Sequence, residues 1–123
     1  IATINVTAVN DAPTATNLNV AETYIEDTAL NLTDIVASDV DSPTVTATLT
    51  LSNTAAGSLS TATSGLVTST YNAGTGVWTA TGAIADVNTL LAGVTFNPAL
   101  NFNSNFTIAT SVSDGALAVT GVF

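Results

Sequence analysis

The chain is 123 residues long, 46% hydrophobic and only 7% charged, and its nine Asp and Glu stand against no Lys, Arg or His, for a formal charge of −9. With no cation to neutralise phosphate, nucleic acid and anionic membrane surfaces are poor partners, and no apolar run approaches the length of a membrane span. The same counts remove His bases, Lys Schiff bases, Cys nucleophiles and Arg clamps, so catalysis would have to rest on paired carboxylates alone, and a non-enzymatic role is expected.

The length suits one domain able to bury a core without staples, and the absence of cysteine means that disulfides do not supply rigidity. A mean hydropathy of +0.49 argues against disorder. The opening residues lack the basic start of a signal peptide and alternate Ile, Thr, Asn and Val, so the chain reads as a mature fragment of something longer.

Period-two alternation of Val, Ala, Leu and Ile with Thr and Ser, broken by Gly, Pro, Asn and Asp, predicts many short strands. Ile1 to Val9 is the first, stopped by the turn formers Asn10-Asp11-Ala12-Pro13. Strands are then expected at Ala15 to Val20, Ala29 to Ile35 and Thr44 to Leu51, the last with one plainly buried face. Ser58 to Ala62, Leu66 to Tyr71 and Val77 to Thr81 follow, with Asn72 to Gly76 as a hairpin loop. At Ile84, Val87, Leu90 and Leu91 the apolar spacing changes to three and four, predicting one short helix over Asp86 to Ala92, with Asp86 as its N-cap and Gly93 as its stop. Strands resume at Val94 to Phe96, Phe106 to Ser113 and Ala116 to Phe123, the last two joined by a tight Asp114-Gly115 turn. The expected fold is an all-β antiparallel sandwich of about seven or more strands with one short helix. Residues 1–9 read as a strand continuing from or pairing with a neighbouring unit, 10–13 as a linker and 14–123 as the sandwich.

Loop parity sorts the acids. Successive antiparallel strands send alternate loops to opposite ends, which puts Asn10, Asp11, Asp39, Asp41 and Asp114 at one pole and Glu22, Glu26 and Asp27 at the other. Four aspartates gathered without a single cation repel one another unless a metal ion sits among them. Oxygen ligands on flexible loops suit calcium, at about 2.3 to 2.6 Å, whereas zinc or copper would want His or Cys. Each acid also has a plainer reading: Asp11 and Asp114 are good turn residues, Asp34 can end a strand, and Asp86 caps the helix. Trp78, Tyr71 and Tyr24 suggest a sugar platform but fit a core better, as do Phe96, Phe102 and Phe106. Thr46, Thr48 and Thr50 form a row that suits either a carbohydrate- or ice-binding face or ordinary sheet surface.

Six segments occur in a telling order: Val9-Asn10-Asp11-Ala12-Pro13, Ile25-Glu26-Asp27-Thr28-Ala29-Leu30, Ser38-Asp39-Val40-Asp41-Ser42, Ala85 to Asn88 through Leu91 to Pro98, Asn101-Phe102-Asn103 and Val112-Ser113-Asp114-Gly115. Together they cover nearly the whole chain, which resembles the cadherin-like, immunoglobulin-like tandem repeats of giant bacterial RTX-type adhesins. The resemblance implies a secreted or cell-surface spacer repeated many times, with Ca2+ stiffening the junctions between neighbouring copies and a place in extracellular fibres or biofilm. Asn10 and Asp11 match the linker, Asp39 and Asp41 the DxD of the following domain, and Asp114 the later Asp of that site. Glu26, with Asp27 beside it, matches the acid that reaches the next junction. The chain departs from the fuller linker at Ala8 and Ala12, and no second acidic motif stands out for the distal end. The alternatives are a strand-exchanged fibre subunit without calcium and a carbohydrate- or ice-binding module.

Overall fold

Thr44–Leu51 sets the frame, because Val45, Ala47, Leu49 and Leu51 fall on one side of an extended chain and threonines on the other. All four apolar residues are buried. The computed structural model describes residues 1–123. In chain order it contains β1 (Thr14–Thr16), β2 (Leu30–Asn31), β3 (Val36–Ser38), β4 (Thr44–Leu51), a 3-10 turn (Thr54–Ala56), β5 (Gly57–Leu59), β6 (Thr63–Ser64), β7 (Val67–Thr68), β8 (Thr70–Asn72), β9 (Val77–Ala83), α1 (Ile84–Ala92), β10 (Thr95–Pro98), β11 (Ile108–Ser113) and β12 (Ala118–Val122).

A five-stranded antiparallel sheet, β12-β11-β4-β9-β8, forms one layer, and a three-stranded sheet, β2-β10-β5, supplies much of the other. Two small ladders, β1-β3 and β6-β7, complete the pairing. The all-β architecture with a single helix and no closed barrel is that of an open sandwich. Its core is one cluster to which both layers contribute, with Trp78 and Val112 from the larger sheet facing Phe96 and Leu59 from the smaller. The buried Trp78 indole N–H donates to the Ser60 carbonyl at 3.0 Å, tying the layers together with a satisfied polar group. Trp78 is therefore core, and the sugar-platform reading fails at its central residue.

On the outer face of the larger sheet Thr120, Ser111, Thr48, Thr79 and Thr70 stand in register across all five strands. None of these five strands contains a charged residue.

Several expected elements moved. Residues 1–13 form no ladder, and Ile4 and Val6 are 89% and 88% exposed. The Ala15 to Val20 strand is cut to β1 by Asn17, which takes a left-handed φ of 62°. Ala29 to Ile35 splits because side chains take backbone groups that a ladder would use. Thr33 N–H donates to the Glu22 carboxylate at 2.6 Å, and the Asn17 amide donates to the Asp34 carbonyl at 2.9 Å. Leu66 to Tyr71 breaks at Ser69, whose hydroxyl oxygen accepts from Ala62 N–H at 2.9 Å. The helix begins at Ile84, with Ala83 at its N-cap and no side-chain cap, so Asp86 is not the N-cap. Asp86 lies in the first turn, where its charge favours the helix dipole, and accepts from the Ser64 hydroxyl at 2.9 Å. Gly93 ends the helix as expected, its N–H bonding to the Leu90 carbonyl at 3.2 Å.

Candidate functional site

β11 separates two differently built ends of the sandwich. At its Ser113 end three loops meet. The first leaves β3 at Asp39, whose Oδ1 accepts from the N–H groups of Asp41 and Ser42 at 2.8 and 3.0 Å. This Asx-type turn is what a short acidic residue two before another amide readily forms. The second is the β11–β12 turn, where Asp114 Oδ1 accepts from Ala116 and Leu117 N–H at 2.9 and 2.8 Å. Gly115 supplies the positive φ, 96°, that the turn requires. The third is the segment leading into β1, with Pro13 buried beneath it. Here the Asn10 amide donates to Asp114 Oδ2 at 2.8 Å, and Asp11 N–H donates to Asp41 Oδ2 at 2.6 Å.

Asn10, Asp11, Asp39, Asp41 and Asp114 are thus brought together at one pole. Glu26 and Asp27 are not: Asp27, at a left-handed φ of 60°, accepts from Asn101 N–H at 2.7 Å at the other end of the sandwich. The N–H groups of Leu117 and Ala116, joined by the Asn10 amide, pull the Asp114 carboxyl from 3.8 down to about 2. Asp39 also comes within hydrogen-bonding reach of Asp114. Asp39 Oδ2 is buried and has no hydrogen-bond partner.

The donor set consists of oxygens only, and the buried, partnerless Asp39 Oδ2 is an atom that a hard divalent cation would satisfy, so these residues fit calcium in kind. The aspartates engage the backbone and one another, however, and no three acidic side chains are gathered closely enough to form a ready cage. A bound ion would therefore require the Asp11, Asp41 or Asp114 carboxylates to turn inward.

Sequence patterning missed the residue that fixes this pole from below. Asn88, on α1, accepts from Ala37 N–H at 2.8 Å and donates to the Ala37 carbonyl at 3.0 Å, clamping β3 two residues before Asp39. Its position on the polar face of a short helix carried the only hint.

The Ile108 end of β11 is aromatic. Tyr24, Phe96, Phe102 and Phe106 form a cluster with ring centroids 4.8 to 6.1 Å apart, and the Tyr24 hydroxyl donates to the Ser104 carbonyl at 2.9 Å. A half-open groove of about 490 Å³ lies beside it, bordered by Glu22 and Glu26, so not every acid sits at an open loop tip. Glu22 binds both the N–H and the hydroxyl of Thr33 through Oε1, while its buried Oε2 has no partner.

Compared with known proteins, the chain matches no family model, no curated protein and no solved structure.

Proposed function

We propose that the chain is a structural extender domain of an extracellular bacterial adhesin or fibre, with a cadherin-like fold and a calcium-dependent junction at its acidic pole. The observation that carries this is the meeting of Asn10, Asp11, Asp39, Asp41 and Asp114 at one pole, together with a buried carboxylate oxygen of Asp39 that has no hydrogen-bond partner. A net charge of −9 without one Lys or Arg leaves an external cation as the natural counter-charge. The segment order described above supports the kinship with RTX-type adhesin repeats.

Asp39, Asp41 and Asp114 would hold the ion from the domain, and Asn10 and Asp11 from the linker. Bound there, calcium supplies positive charge that offsets the aspartate repulsion and ties linker to domain. Residues 10 and 11 already reach the two acidic turns through single hydrogen bonds, so a bound ion would strengthen an existing docking rather than create one. The outcome is mechanical: the direction in which residues 1–9 leave the domain becomes fixed, and neighbouring copies line up as a rod.

The test is thermal unfolding of this chain and of two linked copies, in calcium and in excess chelator, because a ligand that binds only the folded state raises its stability. The expected result is a calcium-dependent rise that is larger in the linked pair. No shift in either sample would overturn the reading.

A further inference from the structure

The outer face of the larger sheet is broad and carries no acid, in a chain whose net charge is −9. The register sorts its side chains into rows that cross the strands. Beside the row through Thr48 lies another, in which Val122, Ala109, Thr50, Val77 and Asn72 stand in line. Val122 is 51% exposed and Ala109 is exposed beside it, so this second row offers apolar surface to water.

Several hydroxyls of the face are already occupied within the chain. Thr46 and Thr81, partners across β4 and β9, bond hydroxyl to hydroxyl at 2.9 Å, and the Thr79 hydroxyl donates to the Ala47 carbonyl at 3.2 Å. The Ser113 hydroxyl accepts from Gly115 N–H at 3.0 Å. A hydroxyl with a partner of its own leaves water at small cost, whereas an unpaired one gives up a hydrogen bond. The face is therefore easier to dry than its composition suggests, and the threonine methyls are the groups free for contact.

We propose that this face pairs back to back with the same face of a second copy, sheet against sheet. Chains with nine acids and no cation repel wherever acids meet, and across this contact none do. Twisted sheets stack in this manner at ~10 Å, with strands inclined by about 30°, and small side chains interdigitate between them. A neutral glycan is a poorer occupant, because it is held through exposed rings. The only aromatic residues of the five strands, Trp78 and Tyr71, belong to the core side.

The area sets the strength. Five strands ~4.8 Å apart and three rows ~6.7 Å apart make a patch of roughly 500 Å² per copy and 1,000 Å² per pair. A stable complex needs about 1,200 Å² or more, so the pairing of two single domains is transient. The contact is isologous, and a two-fold axis set across the strands puts the Asp114 turns of the two copies at opposite ends of the pair. In an array, weak contacts of this kind add up and join neighbouring fibres side by side. That last step rests on the extender reading above, whereas the pairing of two domains does not.

The experiment is sedimentation equilibrium of the full chain, up to the highest attainable concentration and in excess chelator, beside Thr48→Glu, Ala109→Glu and Leu66→Glu. Thr48 lies on the central strand of the face and Ala109 is exposed on it, whereas Leu66 is 103% exposed on the β6–β7 turn. All three variants add the same single charge. The wild-type mass is expected to climb toward twice that of the monomer. Both face variants should weaken the pairing by at least ~10-fold, since each carries an unpaired carboxylate into the contact. Leu66→Glu should match the wild type, and the thermal unfolding of Ala109→Glu should show an intact fold. Two linked copies, in which the chain runs on past Phe123, should associate more tightly than one. A wild type that stays monomeric at every concentration, as it would if the face kept its water or took a glycan, overturns the proposal. So does association that the face variants leave intact, that Leu66→Glu weakens equally, that appears only with calcium, or that linking does not tighten. The junction reading is judged by calcium-dependent stability and this one by mass in chelator, so the two fail separately.

Discussion

The two ends of β11 lie only five residues apart in sequence, yet they are completed by opposite means. At Ser113 the chain turns on aspartates whose carboxylates absorb the loose N–H groups of Asp41, Ser42, Ala116 and Leu117. The backbone there is satisfied and the surplus is negative charge. The Ile108 end is instead packed with rings: Tyr24, Phe96, Phe102 and Phe106 cluster there beside a groove bordered by Glu22 and Glu26. One end is held by carboxylates that accept from main-chain N–H groups, the other by apolar contact. The difference teaches that one sandwich can finish its two ends in chemically unlike ways while sharing a single core between them.

That shared core gives the harshest test. Trp78→Ala, which removes a fully buried side chain and its bond to Ser60, is expected to cost about 3 to 5 kcal/mol. Circular dichroism in urea should show one cooperative loss, and hydrogen exchange should show both ends opening together. An end that opens alone would break the comparison by revealing two folding units. Next in size is calcium, which at a hundredfold excess over its dissociation constant should add about 2.7 kcal/mol. Asp39→Asn should abolish that gain in differential scanning calorimetry, whereas Glu26→Gln in the isolated chain should leave it intact.

Removal of the Asn88 clamp should be milder. Asn88→Ala leaves Ala37 N–H and C=O without partners, at a cost of about 1 to 3 kcal/mol, and should weaken calcium binding by loosening the approach to Asp39. Equal exchange rates at β3 in the variant and the parent would refute this.

The smallest effect is expected from pH. Because the Asp114 carboxyl is lowered from 3.8 to about 2, its ionised form is the one the fold prefers. Its contribution is complete above about pH 4 and is lost as the pH falls toward about 2. In chelator, the stability difference between the parent and Asp114→Asn should therefore shrink over that interval. A difference that persists unchanged at the acid end would show that the turn hydrogen bonds do not favour the charged form.

How far the sequence disclosed this arrangement depended on what each residue bonds. β4 was legible residue for residue because alternation with one buried face admits no other reading. Most of β9 and the helix from Asp86 onward were legible by the same logic of period. The acidic pole was legible because loop parity is a property of antiparallel chains and needs no side-chain detail. The region between Asn17 and Asp34 was not, since Glu22 and Asn17 divert backbone groups to side chains and composition cannot announce such a diversion. The start of α1 was misjudged because capping residues are good signals only where they are used; here the helix opens on Ala83, and Asp86 serves Ser64.

The uncharged five-stranded sheet has an electrical consequence. The five rises of ~3.3 Å along β11 set its two ends about 17 Å apart, whereas the Debye length at physiological salt is about 8 Å. At about two Debye lengths, salt in the surrounding solvent largely screens the charge of one end from the other. If calcium binds as proposed, an ion at one end would change the far end's potential little, and successive junctions would load nearly independently of one another. An array of such units would then bind ions in a graded way and respond to salt at its joints alone, with each sheet between them acting as a neutral spacer.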